Sequence, residues 1–284
     1  MLTEKLITDV VGAALREDAP NGDVTSEHLI PASATATAVL AAREPGVFSG
    51  SAVFVAAFKL TDSSVQVKMH IKDGEAFVAG QSLAIVSGSA RAVLRAERIG
   101  LNFTQRMCGI ATQTARYVAA VAGTKAKILD TRKTTPLLRE FERQAVRDGG
   151  GTNHRFSLSD QVLAKDNHLA VLTAGGKDLT TELLRIRNEI PASVKFEVEV
   201  DRIDQIAAVL AGGVDIIMLD NFTLDELREG VAMIQGRAIV EASGGVNLQT
   251  VAEIAATGVD VISVGALTHS VRSLDLGLDV KIDA

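Results

Sequence analysis

The chain has a single cysteine, Cys108, among 284 residues, which excludes an internal disulfide framework. No apolar run approaches the roughly 18 residues of a membrane span. Met1-Leu2-Thr3-Glu4-Lys5 lacks the basic-then-apolar layout of a secretory leader. A soluble, cytoplasmic protein is expected. An excess of positive charge is also missing: the formal net charge is -6. That argues against a nucleic-acid partner, because affinity for a phosphate backbone rests on a broad basic surface.

What the chain does have is enough apolar residue, 47%, to build one barrel-sized core or two unequal ones. Two textures meet near residues 90 to 110. From Thr35 to Gly88 the pattern is short and strand-like, with Thr37 to Ala42, Val65 to Ile71 and Gln81 to Val86 around an Asp73-Gly74 turn. A helix from Thr3 to Glu17 precedes it. Beyond Arg91 a helical pattern runs to about Ala122, and then strands and helices alternate. The strands expected are Ala126 to Asp130, Gln161 to Lys165, Lys195 to Val200, Asp215 to Asp220, Arg237 to Ala242 and Asp260 to Gly265. Apolar strands separated by amphipathic helices predict a parallel sheet with right-handed crossovers.

The strand ends choose between an open doubly wound sheet and a β/α barrel. Asp130, Lys165, Glu199, Asp220, Ser243 and Gly265 stand at or next to successive carboxyl ends. An open sheet concentrates its chemistry at one switch point, whereas a barrel draws on many strand ends. The barrel is expected. Gly212-Gly213-Val214-Asp215 and Thr257-Gly258-Val259-Asp260 are also alike, which reads as shared helix-to-strand turn chemistry.

The candidate chemistry is cationic and local. Asp130 to Thr135 carries the adjacent pair Arg132 and Lys133; His154 and Arg155 follow three glycines, Gly149 to Gly151; Lys165 opens Lys-Asp-Asn-His. A guanidinium forks onto a carboxylate, and an ammonium serves as a point charge for phosphate. Such a group suits a small, highly anionic substrate, although a solvated loop carries similar pairs. Glu197 and Glu199 alternate with apolar residues and so share one strand face. If that face looks inward, each carboxylate needs a cation, because burial unpaired costs several kcal/mol. Glu199 with Asp220 can bind Mg²⁺ or can neutralise Lys133 or Lys165. Ser243-Gly244-Gly245 and Val264-Gly265-Ala266 are similar to the phosphate grips after the last strands of many barrels, or simply permit tight turns. No cysteine stands at metal-ligand spacing from His154 or His168, which argues against zinc. Lys165 is a Schiff-base candidate only if desolvated, and the Asp166-Asn167-His168 that follows favours a charged amine.

Ten ordered motifs now carry a resemblance. Gly22-Asp23-Val24-Thr25, Ala96-Glu97-Arg98, Gly109-Ile110-Ala111-Thr112, the Asp130 to Thr134 segment, Gly149 to Gly151 with Asn153-His154-Arg155, Lys165 to His168, Glu197 to Val200, Leu219 to Phe222, Ser243 to Gly245 and Val264 to His269 resemble the quinolinate phosphoribosyltransferase family. The resemblance implies an α/β fold, an open, incomplete seven-stranded β/α barrel with a mixed α+β N-terminal sandwich domain. The implied limits are 1–108 for the N-terminal domain, 109–270 for the barrel and 271–284 for a segment that returns to the N-terminal domain. It further implies transfer of phosphoribosyl from phosphoribosyl pyrophosphate to quinolinate with decarboxylation, Mg²⁺ as cofactor, and a homodimer or higher oligomer with a shared active site. Arg98 is then lent across the interface to quinolinate. Thr131, Arg132, His154, Arg155 and Lys165 belong to the substrate pocket, with the last four caging the two carboxylates. Lys133, Glu199, Asp220, Ser243, Gly244 and Gly265 face phosphoribosyl pyrophosphate, with Glu199 and Asp220 on the metal. Lys133, Lys165, Glu199 and Asp220 are the expected catalytic residues.

The chain departs from the family pattern at Leu137, where glycine is common, at Phe156-Ser157, at Ala164 and at Cys108. No charged site residue is lost. Rival readings are a paralogue from molybdenum operons, which alters the Lys-Asp-Asn-His segment retained here, a Schiff-base aldolase using Lys165, and a nucleotide sensor without turnover.

Overall fold

The computed structural model describes residues 2–283. In chain order the elements are α1 (Glu4–Asp18), α2 (Val24–Leu29), β1 (Thr35–Ala42), β2 (Gly46–Val47), α3 (Ser51–Thr61), β3 (Gln66–Met69), β4 (Ala76–Phe77), β5 (Ser82–Ser89) and α4 (Ala90–Ala120). Then follow β6 (Lys127–Leu129), α5 (Arg139–Asp148), β7 (Gln161–Ala164), α6 (Asp166–Leu172), α7 (Leu179–Glu189) and β8 (Lys195–Val200). The rest are α8 (Ile206–Ala211), β9 (Ile216–Asp220), α9 (Leu224–Ile234), β10 (Ile239–Ser243), α10 (Val251–Ala256), β11 (Val261–Ser263), α11 (Ala266–His269) and β12 (Leu276–Asp283). The chain divides into two compact units, one of residues 1–115, 135–150 and 270–284, the other of residues 116–134 and 151–269. Among the described residues no helix is long and apolar enough to cross a membrane.

The first unit is built on an antiparallel sheet in the order β12-β1-β5-β3, with β2 and β4 as a separate pair. Along β1, Ala36, Ala38 and Leu40 are buried while Thr35 and Thr37 are exposed, the period-two pattern of a half-buried strand. β12 adds to β1 from Thr35 opposite Asp283 to Ala42 opposite Leu276. The helix α3 interrupts a stretch expected to be strand-like. It buries Val53, Phe54, Ala57 and Phe58, an i, i+1, i+4, i+5 face. Its start is not signalled locally: Gly50 sits at φ 105, and Asp73, from a distant turn, accepts the N–H groups of Gly50 at 2.9 Å and Ser51 at 3.0 Å. α5 belongs to the same unit. The Glu142 carboxylate, 1% exposed, takes Arg106 of α4 at 2.5 Å, and Gly149 follows α5 where a Cβ would meet the Ala111 carbonyl oxygen at 2.4 Å. Just before α5, Leu137 holds φ 67 with its side chain 90% exposed. A non-glycine residue in that region costs roughly 1–2 kcal/mol. Cys108 is buried, and burial pushes its thiol up to about 12, the state of an inert core thiol.

The second unit carries a six-stranded parallel sheet in the order β6-β11-β10-β9-β8-β7. A seventh position is present as a single parallel bridge from Leu129 to Thr152 on the free side of β6. Thr152 N–H donates to Ile128 O at 2.8 Å, and Asp130 N–H donates to Thr152 O at 3.1 Å. The barrel is therefore open, its seventh strand reduced to one residue. The two similar turns behave alike. Gly213 and Gly258 take φ 73 and 93. Asp215 and Asp260 then each accept a backbone N–H from the neighbouring strand, of Phe196 and of Val240, at 2.8 Å. The registers pair Leu163 with Glu197, Glu199 and Glu241 with Met218, Asp220 with Ser243, and Glu241 with Val261. Since partners in a ladder share a face, Gln161, Leu163, Lys165, Glu197, Glu199, Met218, Asp220, Glu241, Ser243 and Ser263 all belong to the interior face. Phe196, Val198 and Val200 point the other way and are buried.

Candidate active site

A cavity of about 830 Å³ opens at the carboxyl ends of the barrel strands. Thr131, Arg132 and Lys133 line it from the loop after β6, His154 and Arg155 from the loop after the Thr152 bridge, and Lys165 from the end of β7. Glu199, Asp220, Ser243, Gly244 and Gly265 complete the set from the next four strand ends. Of the residues expected at the site, Arg98 alone is elsewhere: it is exposed on α4, in the first unit, and does not line this cavity.

Lys133 is held by its backbone. Thr268 Oγ1 donates to Lys133 O at 2.7 Å, and Lys133 N–H donates to Thr131 Oγ1 at 3.1 Å. Lys133 itself enters no ion pair among the described residues. Arg132 Nε is buried without a hydrogen-bond partner. Arg155 Nη1 donates to Gln161 O at 2.9 Å. Burial, and then the neighbouring charge of Arg132, pull the Arg155 guanidinium below its ordinary value. Two guanidinium groups this close, one with a buried donor unmet, form a site for an anion with more than one oxygen. Lys165 is different, because its ammonium pairs with Glu199 Oε2 at 2.9 Å and is 48% exposed. A desolvated amine for Schiff-base chemistry is therefore absent. His168 caps α6, accepting the Lys165 N–H on Nδ1 at 3.0 Å.

Glu199 and Asp220 stand on adjacent strands and one face. Lys165 takes one oxygen of Glu199, and Asn221 Nδ2 donates to one oxygen of Asp220 at 2.7 Å. The second oxygen of each is left for a ligand, a donor set that suits a hard cation retaining several waters. The glycines beside them are required by space. A Cβ on Gly244, at φ 93, would meet Asn221 Oδ1 at 2.1 Å, and one on Gly265 would meet the His269 ring at 3.0 Å and Lys133 Cδ at 3.2 Å.

Below the mouth lies a polar layer that the sequence reading did not carry into the site. His154 Nε2 is 3.3 Å from Glu197 Oε2 and 3.5 Å from Glu241 Oε2, with these carboxylates 0% and 1% exposed. Gln161 Nε2 donates to Glu197 Oε2 at 2.5 Å, and Ser263 Oγ donates to Glu241 Oε1 at 2.5 Å. The three groups could in principle hold a metal ion, their ligand atoms lying within 4.8 Å of one another. Here, however, the carboxylates already receive an amide and a hydroxyl, so the cluster is arranged around donors. Burial opposes charge on His154, but the hydrogen bonds of Glu197 and Glu241 outweigh it and push the imidazole up to about 10. Nδ1 faces the Arg155 N–H at 2.7 Å, a contact favouring the bare nitrogen by about 1 kcal/mol. Two buried carboxylates at the other nitrogen exceed that, so the ring is the cation of the cluster. Burial, partly offset by His154, pushes Glu197 up. Asp130, itself buried, anchors the loop, accepting His154 N–H at 2.7 Å and Asn153 Nδ2 at 2.6 Å.

Comparison with known proteins assigns the chain to a family. Residues 23–108 match the N-terminal domain, and residues 110–279 the C-terminal domain, of quinolinate phosphoribosyl transferase. The chain belongs to the quinolinate phosphoribosyl transferase family. It is 43% identical to the nicotinate-nucleotide pyrophosphorylase (carboxylating) of Mycobacterium leprae, covering 96% of each chain. A probable enzyme of the same name from Bacillus subtilis is 40% identical, with 94% of this chain and 90% of the relative covered. The crystal structure of NadC from Streptococcus pyogenes superposes with a TM-score of 0.94 at 38% identity, covering 100% of this chain and 99% of that one.

One signal for the missed layer was present. Glu241 lies two residues before Ser243 in an apolar strand, which sets both on the interior face. The electrostatics supply a test. A folded-state value above the unfolded one means that His154 stabilises fully below about pH 6.5 and loses that contribution as pH rises towards about 10. The thermal midpoint of the wild type should therefore fall more steeply across this window than that of His154→Gln. Scanning calorimetry at stepped pH reads the difference, and parallel slopes would refute the charged imidazole.

Proposed function

We propose that this chain transfers phosphoribosyl from phosphoribosyl pyrophosphate to quinolinate, releasing pyrophosphate and CO₂ and leaving nicotinate mononucleotide, a step of NAD biosynthesis. The observation that carries the reading is a cluster of cations in the barrel cavity of this family: Arg132 with a buried Nε that no hydrogen bond meets, Lys133 in no ion pair among the described residues, and Arg155 beside them. A dicarboxylate answers two guanidinium groups by forked hydrogen bonds, and a pyrophosphate answers the ammonium of Lys133 and the bare backbone around Gly244 and Gly265. Lys165, tied to Glu199, adds a cation between the two halves of the cavity. His154, in this reading, contributes its charge to the carboxylate cage.

The pyridine nitrogen forms the bond to ribose C1 as the bond to pyrophosphate breaks, and the leaving oxygens take up the negative charge. Lys133 stabilises that charge, while Glu199 and Asp220 face the electron-poor ribose carbon. Once the nitrogen is quaternary, the ring carbon that loses CO₂ keeps the electron pair of the broken bond next to a positive centre, and a proton from water then completes nicotinate mononucleotide. Mg²⁺, when bound, would neutralise pyrophosphate, and Glu199 and Asp220 are the residues that would hold it. No covalent enzyme intermediate is needed, so the catalysis asked of these residues is positioning and charge.

We also propose a homodimer, or a higher oligomer, in which Arg98 of a second copy reaches the cavity, since Arg98 carries an exposed charge away from it. A two-fold assembly brings equivalent patches to one another's sites. A cytoplasmic location fits a lone buried thiol that needs no oxidising compartment; recovery in a periplasmic fraction would count against it.

Joint release of pyrophosphate and CO₂ from the two substrates tests the function, and a protein that binds phosphoribosyl pyrophosphate without releasing either product is a sensor instead. In the same assay Mg²⁺ should be required by the wild type, and Glu199→Gln with Asp220→Asn should abolish turnover that responds to it. Undiminished activation in that double variant would remove both residues from the metal. Arg132→Ala and Arg155→Ala should each cost about 2–4 kcal/mol in kcat/KM for quinolinate, with a smaller loss for phosphoribosyl pyrophosphate. Equal losses for both substrates would overturn the division of the cavity. For the shared site, Arg98→Ala subunits mixed with Lys165→Ala subunits should recover activity, because each hybrid dimer has one site with neither lesion. Hybrids that stay inactive would return Arg98 to its own chain.

A further inference from the structure

We propose that Glu241 is a positioning residue for the quinolinate half of the cavity, acting through His154. The inference rests on the proposed reaction and extends it to a side chain that the substrates do not touch. Glu241 is 1% exposed and does not line the cavity. It sits at the centre of β10 between Val240 and Ala242, both buried, on the interior face where an aliphatic residue would fill a barrel at no electrostatic cost. A buried carboxylate kept at such a position has to be held and has to hold something.

Both halves of that condition are met by named atoms. Ser263 Oγ, one strand away on β11, donates to Glu241 Oε1 at 2.5 Å and fixes the carboxylate. Oε2 is 3.5 Å from His154 Nε2, and Glu197 Oε2 approaches the same nitrogen to 3.3 Å. β9 separates β8 from β10 in the sheet, so the two carboxylates reach the ring from strands that are not neighbours. They hold the ring across the width of one strand. Asp130, directly after β6, fixes the His154 backbone by the N–H bond at 2.7 Å. With the backbone tied at one end and Nε2 at the other, the ring has one orientation in the floor of the cavity. Arg155, the next residue, shares that loop, and the orientation of the ring therefore sets the floor against which a dicarboxylate rests. Glu241 is the more informative of the two carboxylates, because Glu197 is also tied to Gln161 at 2.5 Å, whereas among the described residues the hydrogen bond and ion pair of Glu241 lead to Ser263 and His154.

The test is a double-mutant cycle read separately for each substrate. Glu241→Gln keeps the volume and an oxygen for the Ser263 hydroxyl. It should raise the KM for quinolinate about tenfold, the loss of one hydrogen bond to a charged group. The KM for phosphoribosyl pyrophosphate should change less than about twofold. In a His154→Gln background the same substitution should shift the quinolinate KM by less than about twofold, since its route is already cut. Ser263→Ala frees the carboxylate without removing it and should give the same selectivity at about threefold, which keeps the proposal testable if Glu241→Gln does not fold. A Glu241→Gln loss that is undiminished in the His154→Gln background overturns the route through His154. So do equal changes for both substrates, or an unchanged quinolinate KM in both Glu241→Gln and Ser263→Ala. A wild type that releases neither pyrophosphate nor CO₂ refutes the underlying reaction and this role with it, whereas an active wild type without substrate selectivity in the variants refutes the role alone.

Discussion

In a parallel strand every second side chain turns to the same face, and in a barrel that face is an interior from which water is largely excluded. Whatever is charged there has to be paired there. The interior face of this barrel carries Glu197, Glu199, Asp220 and Glu241 on three consecutive strands of the sheet. The positions of the cations follow from this constraint. Lys165 lies on the same face of the strand beside β8 and answers Glu199. His154 enters from a loop and answers Glu197 and Glu241 together. The loop has to be anchored for that to work, which is the part of Asp130.

Two electrical regimes are stacked along the barrel axis as a result. In the lower layer the carboxylates are buried, and Gln161, Ser263 and His154 reach one oxygen of Glu197 and both of Glu241, while Glu197 Oε1 is buried without a hydrogen-bond partner. In the upper layer Lys133 enters no ion pair among the described residues, Arg132 Nε is buried without a hydrogen-bond partner, and burial and Arg132 outweigh Glu197 and Asp160 in pulling Arg155 down. The charge of Glu197 also acts on Arg155, but burial and Arg132 outweigh it, and the lower carboxylates direct their hydrogen bonds to Gln161, Ser263 and His154. Binding energy then comes from supplying the missing anions, which is where charge-assisted forks are at their strongest.

Much of this was legible before any coordinates. The parallel strands lie within two residues of where their apolar runs predicted, because continuous Val, Ile and Leu runs between amphipathic helices leave little choice of period. The cavity gathers every expected cavity residue except Arg98, because strand ends in a barrel converge whatever the loop details. The reading failed where a signal came from far away in the chain. α3 begins on Gly50, whose N-cap position has no side chain to cap with, and the capping carboxylate comes from Asp73 in a distant turn. The seventh strand is one bridge at Thr152 and has no run to detect. Glu241 lies in a strand whose polar member looked incidental until its register partners put it on the inner face.

Of the departures from the family pattern, Leu137 and Phe156-Ser157 fall on loops, Ala164 ends β7 and Cys108 lies buried within α4, and none of them carries a charge of this electrical arrangement. Leu137 accepts backbone strain with an exposed side chain that returns no burial energy. Phe156 and Ser157 begin a turn closed by Asp160, which accepts their N–H groups at 2.6 and 3.1 Å, so hydrogen bonds to one carboxylate do there what a glycine's conformational freedom does elsewhere. By contrast, Gly244 and Gly265 are retained where a Cβ would collide with Asn221 or with His269 and Lys133. A loop can trade one source of backbone geometry for another. The backbone that must approach a phosphate, and the buried carboxylate that must meet its cation, have no such substitute, and it is these positions that define the site.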